Sequence, residues 1–181
     1  MIGDDIVDLK LARIQSNWRR KGWLQKIFAE SEQEMICNSE DPDGLIWKLW
    51  SMKEATYKAH QRRFSIPRKY NPWAFVCSDE QVTINNYSYN TVSKHTDKYA
   101  YTISYTDQSN FISKVFTDNS LRYKRVLQNY VADVIGVKES SISIHKDING
   151  IPSIKINKEA VDIPLSFSSH GSFSAFTIDL P

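Results

Sequence analysis

Two cysteines in 181 residues, Cys37 and Cys77, are too few for a disulfide framework and follow no zinc-ligand spacing. Six glycines and six prolines are scattered, so no flexible linker divides the chain and its parts are expected to pack tightly. No stretch approaches the roughly 20 consecutive apolar residues that a membrane span needs. Neither sign of charge dominates: 23 Lys and Arg against 21 Asp and Glu give a formal +2, which argues against a nucleic-acid footprint. The opening Met1-Ile2-Gly3-Asp4-Asp5 carries acid where a signal peptide carries base and then an apolar run. A reducing cytoplasm is the expected setting, with neither membrane nor nucleic acid as a partner.

What is abundant is aromatic. Five Trp, nine Tyr and eight Phe, within a composition that is 41% hydrophobic and 24% charged, predict a soluble fold with an aromatic-rich core. The length fits one medium domain or two small packed subdomains. Charge is unevenly spread. Residues 30–43 hold six acids and no base, and two basic clusters follow, Arg62-Arg63 with Arg68-Lys69, and Arg122 with Lys124-Arg125. Each cluster is either a solvated face or a holder of a phosphorylated ligand.

Residues 2–9 read as a strand. Ser31-Glu32-Gln33-Glu34 has the form of a capping box and predicts a short helix over 31–37, ending before Asp41-Pro42-Asp43-Gly44. A helix then runs to about Ala59, with Leu45, Leu49, Met52 and Thr56 on one face and Trp47, Trp50, Glu54 and Lys58 on another. Strands are predicted at 73–77, 82–85, 99–105 and 111–116, with turns at Asn85-Asn86 and at 107–110. A second helix spans about 120–135, with Leu121, Val126 or Leu127, Tyr130, Val131 and Val134 inward and Gly136 as the stop. A hairpin (142–146 and 151–156, turning at Asn149-Gly150) and strands near 163–168 and 172–178 complete the chain. This order is α+β, in two halves, 1–117 and 118–181.

Three segments carry chemistry. Asp4, Asp5 and Asp8 put three carboxylates in five residues, a density that a hard divalent cation relieves. The Asp-Asp-x-x-Asp spacing also occurs in isoprenoid synthases, but those are all-helical and the strand content here counts against them. Glu54 and Lys58 lie one helical turn apart, and the two tryptophans on their stripe argue that the stripe is a wall rather than a solvated face. Ser169-His170 pairs a hydroxyl with an imidazole, yet neighbours on a strand point to opposite faces, and no orienting acid is evident for a hydrolase.

Together these segments resemble the 4′-phosphopantetheinyl transferases. The family's marks are a Gly-x-Asp strand end, a Trp-Ser-x-Lys-Glu-Ala/Ser-x-x-Lys helix and a Ser-His strand, and they correspond here to Gly3-Asp4-Asp5, Trp50 to Lys58, and Ser166 to His170. Gly150-Ile151-Pro152 adds the place of the family's Gly-Lys-Pro. The resemblance implies an α+β fold of two similar packed subdomains related by a pseudo-twofold. It implies transfer of 4′-phosphopantetheine from coenzyme A to a serine of an apo acyl or peptidyl carrier protein, with Mg²⁺ and release of adenosine 3′,5′-bisphosphate. By the same resemblance Asp5 and Glu54 bind the metal, and Glu54 and Lys58 are catalytic. His170, Ser169, Arg122, Lys124 and Arg63 contact coenzyme A, and Arg13 faces the acidic carrier.

In the larger two-lobed members the Gly-Lys-Pro and Ser-His motifs come first; here they come last. The order implies a circularly permuted two-lobed chain in which a monomer forms the whole cleft. Departures from the pattern are Val7 where larger members carry a second acid, Ile151 in place of the lysine, and Gln61 and Arg63 in place of the glycines after the Lys-Glu helix. They motivate an alternative, a catalytically weakened relative that binds a carrier domain.

Overall fold

The structure, a computed structural model, describes residues 1–106, 110–117 and 122–179, with only the backbone at 122. Its organising element is strand β1 (Ile2–Asp8), buried along its whole length because it is covered on both faces. Strand alternation sends Ile2, Asp4 and Ile6 one way and Gly3, Asp5 and Val7 the other. The second face meets helix α4 (Pro42–Phe64) so closely that a Cβ on Gly3 would overlap the Ala55 carbonyl oxygen and the Ala59 amide nitrogen. Helix α4 begins where Asp41 accepts from the Gly44 amide at 2.9 Å with Pro42 in the first turn, and stops at Ser65 in the left-handed region (φ 50°).

Strand β1 is the edge of a five-stranded antiparallel sheet with β2 (Val76–Ser78), β3 (Gln81–Ile84), β4 (Tyr87–His95) and β5 (Tyr99–Tyr105), in the order β1-β5-β4-β3-β2. Helices α1 (Leu9–Gln15), α2 (Trp23–Ile27) and α3 (Glu30–Cys37) complete this lobe around Phe28, Ile36, Ile46, Leu49, Met52 and Tyr89. The second lobe joins β6 (Phe111–Phe116), β10 (Leu165–His170) and β11 (Phe173–Asp179) in the order β10-β11-β6. A three-stranded sheet of β7 (Ile142–Lys146), β8 (Pro152–Ile156) and β9 (Glu159–Val161) sits beside it. Helix α5 (Arg122–Ile135) packs Leu127 and Val131 onto Ile142, Ile154, Leu165 and Phe176. Between the lobes Ile2, Ile6, Tyr101 and Ile103 meet Phe173 and Ala175 in a third cluster. The protein is α+β, each lobe pairing one long helix with antiparallel strands.

Several expectations change. Strand β6 hydrogen-bonds to β11, so the strand that the sequence put at the end of the first half shares a sheet with the second. The capping contact of α3 lies two residues earlier than Ser31/Glu34: the Ala29 amide donates to Glu32 at 2.7 Å. Helix α4 runs five residues past Ala59. The polar strand β4, the short helices α1 and α2, and β9 were not anticipated. Val134 is half exposed rather than inward. Most of the turn expected at 107–110, most of the seam expected near 117–120, the helix start expected at about 120, and the inward Leu121 lie outside the described residues.

Candidate active site

Helix α4 turns its stripe of Trp47, Trp50, Glu54 and Lys58 toward β1 and β10, and the stripe walls two adjoining cavities. The larger, about 430 Å³, lies between α4 and the β7–β8 and β10 segments of the second lobe. Asp5, Glu54, Lys58, Arg62, Arg68 and Lys146 give it its charge, and Ile151, Pro152, Phe167 and Ser169 its other wall. The smaller, about 340 Å³, shares Asp5, Glu54 and Ser169 and is lined by Trp23, Trp47, Trp50 and His170.

At the junction Lys58 Nζ donates to the Asp4 carbonyl at 2.7 Å and to Asp5 Oδ1 at 3.2 Å. The opposite oxygen, Asp5 Oδ2, is buried and has no protein partner. Burial, offset by Lys58 and reinforced by Glu54, pushes the Asp5 carboxyl up to about 8. Burial likewise raises Glu54, against the pull of Lys58 and Arg68. Lys58 loses by its own burial, but Asp5, Asp4 and Glu54 outweigh that and hold its proton more firmly than usual. Two carboxylates that resist ionising beside one ammonium are short of positive charge.

The three aspartates do not form one cluster. Asp4 points to the lobe interface, fully buried, where Ser168 Oγ donates to it at 2.9 Å and Tyr101 at 3.4 Å, and its amide donates to Ser166 at 3.0 Å. Asp8 caps α1 by accepting from Lys10 and Leu11, and it accepts from Ser172 as well. Burial works against its charge, but those three amides hold its carboxyl below the usual range. Only Asp5 faces the cavity. Its oxygens and those of Glu54 are hard donors, which suits Mg²⁺ completed by water and phosphate oxygens. Among the described residues no group of three His, Cys, Asp or Glu could hold a metal, and Val7 is buried among apolar side chains.

The other expected residues are dispersed. Ser169 is exposed at the rim of both cavities. His170 lines the smaller one and its ring is committed: Nδ1 accepts from the Asp8 amide at 2.9 Å, so Nε2 carries the proton and faces Gln15 Oε1 at 3.0 Å. Arg63 leaves the site, stacking over Phe64 and Tyr87, whereas its neighbour Arg62 lines the cavity and bridges the lobes by donating to the Pro152 and Leu165 carbonyls. Lys124 lies near enough to Lys146 to join Arg68 and Lys58, after burial itself, in lowering that lysine's pKa. The Arg122 side chain lies outside the described residues, and Arg13 is exposed on α1. Arg62 and Arg68 come from the basic cluster that the sequence offers either as a solvated face or as a holder of a phosphorylated ligand, whereas no sequence signal marks Lys146, Tyr57 or Tyr70 as wall residues.

The two-lobed α+β fold sets an acid pair and a lysine against a cavity whose cationic side chains, Lys58, Arg62, Arg68 and Lys146, outnumber Asp5 and Glu54. Residues 1–135 match the 4′-phosphopantetheinyl transferase superfamily, and the chain belongs to that superfamily. The match ends before β10, so Ser169 and His170 lie beyond it. Among solved structures the chain is similar to the holo-[acyl-carrier-protein] synthase of Thermotoga maritima, at 13% identity over 85% of this chain and 81% of that one (TM-score 0.41). It is also similar to the Helicobacter pylori holo-[acyl-carrier-protein] synthase in complex with coenzyme A, at 14% identity over 100% of both chains (TM-score 0.29). No curated protein matches it. No helix among the described residues is long and apolar enough to cross a membrane.

Proposed function

We propose that the protein transfers 4′-phosphopantetheine from coenzyme A to a serine of an apo carrier protein and releases adenosine 3′,5′-bisphosphate. What supports this reading is the convergence of Asp5, Glu54 and Lys58, from two elements within the family match, on one basic cavity whose far wall is β10. The nucleotide end of coenzyme A lies in the larger cavity, where Arg68, Lys146 and Lys58 meet its phosphates. Asp5 and Glu54 hold Mg²⁺, which when bound neutralises charge on the pyrophosphate.

The carrier's serine oxygen attacks the pantetheine-side phosphorus, and the bond from that phosphorus to the bridging oxygen breaks. The electron pair leaves with adenosine 3′,5′-bisphosphate. Lys58, anchored by the Asp4 carbonyl and Asp5, stabilises the departing charge. Glu54 is the residue of this pair placed to receive the serine proton. Arg13, exposed on α1, steers an acidic carrier. Both walls of the cleft come from one chain, so a monomer suffices, in keeping with a permuted two-lobed arrangement.

The test is the intact mass of an apo acyl carrier protein after incubation with Mg²⁺, coenzyme A and the protein. The expected result is the gain of one phosphopantetheine with wild type and a loss of about 10²-fold or more in rate with Glu54→Gln. No gain on any carrier, with coenzyme A binding intact, would favour a carrier-binding relative without the activity.

A further inference from the structure

One carboxylate of the opening trio has no place in either cavity wall. Asp8 ends β1, is buried, and commits its amide and both carboxylate oxygens to its surroundings. Its Oδ1 accepts from the Lys10 and Leu11 amides at 3.0 and 3.2 Å and so starts α1, which carries Gln15. Its Oδ2 accepts from the Ser172 amide at 3.0 Å, in the two-residue turn Gly171-Ser172 between β10 and β11. Its own amide donates to His170 Nδ1 at 2.9 Å. The turn closes directly on Asp8: Gly171 is left-handed (φ 56°), and a Cβ there would stand 2.2 Å from Asp8 Oδ2.

A main-chain amide can only donate, so His170 Nδ1 is an acceptor and the ring's proton sits on Nε2. A second proton, on Nδ1, would set two N–H groups against each other and break the junction. His170 is thereby a neutral ring with one donor of fixed direction, at the edge of the smaller cavity and next to Ser169. The acceptor it faces, Gln15 Oε1 at 3.0 Å, is itself placed by the helix that Asp8 caps. The polarity is the reverse of a Ser-His-Asp triad, in which a carboxylate accepts from Nδ1–H and leaves Nε2 free to take a proton. We propose that Asp8 is a positioning residue: by clamping the β10–β11 turn it fixes the tautomer and direction of His170, and makes that histidine a hydrogen-bond donor in the transfer and not its base. The effect on turnover rests on the transferase reading above; the state of the ring does not.

Asp8→Ser separates the clamp from the cap, because the single serine oxygen caps α1 and leaves the Ser172 amide unheld. Gly171→Ala attacks the same junction from the turn. Nitrogen NMR of the imidazoles should show His170 of wild type as the Nε2–H tautomer alone, and a second tautomer in both variants. In the carrier-modification assay each variant should lose about tenfold or more in kcat/KM for coenzyme A. Asp8→Ser should cost little further once His170→Ala is present, since it acts through that ring. An unchanged ring in both variants, or a loss by the same factor with and without His170, would overturn the proposal. So would a wild-type ring that carries its proton on Nδ1. Wild type that modifies no carrier would bring down the transferase reading, and the spectra would then decide by themselves whether Asp8 fixes the ring.

Discussion

Helix α4 carries two lysines five residues apart, Lys53 buried and Lys58 partly exposed, each paired with a carboxylate, and the two pairs are opposites. Lys53 is fully buried and donates to Glu32 at 2.7 Å, to the Pro72 carbonyl at 3.2 Å and to the Phe75 carbonyl. Glu32 in turn accepts from the Ala29 and Cys77 amides, both at 2.7 Å, so every charge is met and α3, α4 and β2 are locked together. Lys58 reaches Asp5 at 3.2 Å, remains 28% exposed on its side chain, and leaves Asp5 Oδ2 bare. A saturated ion pair holds a fold; an unsaturated one is open to a ligand. One helix face thus makes the scaffold and the next face, one turn on, makes the site.

That contrast can be broken at several points. Lys53→Met should be the most damaging change to stability, about 3–5 kcal/mol in denaturant unfolding, because it strands a buried glutamate; a loss near zero would mean that the pair does not lock the lobe. Asp5→Asn should change stability far less, by about 1 kcal/mol or below at pH 7, while abolishing carrier modification. A smaller and more diagnostic effect is the pH slope of the free protein. Asp4, Asp5 and Glu54 bind protons more tightly folded than unfolded, so their stabilisation is complete near pH 4 and drains as pH rises through the folded value of Asp5 near 8. His60 and His170 are lowered by burial and act with the opposite sign, but only below about pH 6.5. The melting temperature in metal-free buffer should therefore fall between pH 7 and 9, and fall less steeply in Asp5→Asn. A flat profile across that range would contradict the view that this pair is incomplete.

Legibility in the sequence followed the range of the forces involved. Strands at 99–105 and 111–116 and the hairpin turning at Asn149-Gly150 match because alternation and turn residues are local signals. Strand β4 reads Tyr-Ser-Tyr-Asn-Thr-Val-Ser-Lys-His and buries only Tyr89 and Thr91, too few to show a period. Helices α1 and α2, of seven and five residues, are shorter than the window in which a helical period declares itself. Ser31/Glu34 and Ala29/Glu32 both satisfy an i, i+3 relation; the second prevails because Glu32 also meets Lys53 and Cys77 from far along the chain. The stripe from Trp47 to Lys58 was readable since tryptophans are rarely left in water, and Asp5 through the family resemblance. Arg62 against Arg63 was not: consecutive helical residues point about 100° apart, and only the fold says which side faces the cavity.

Gly3 has a mechanical consequence. With no side chain between β1 and α4, strand and helix touch backbone to backbone, and the elements bearing Asp5, Glu54 and Lys58 move as one stiff plate. Opposite it, β10 is bonded to β1 through Ser166, Ser168 and His170, whereas the hairpin of β7 and β8 is tied to α4 and its end by Gln61 Nε2 to the Asn149 carbonyl at 3.1 Å, Asn149 Nδ2 to the Ser65 carbonyl at 3.4 Å, and Arg62 to the Pro152 carbonyl. Compliance of the cleft therefore resides in the hairpin of β7 and β8, and hydrogen exchange should be faster there than along β1. The cavity's acids, Asp5 and Glu54, ride on the plate of β1 and α4, and the opposite wall contributes neither.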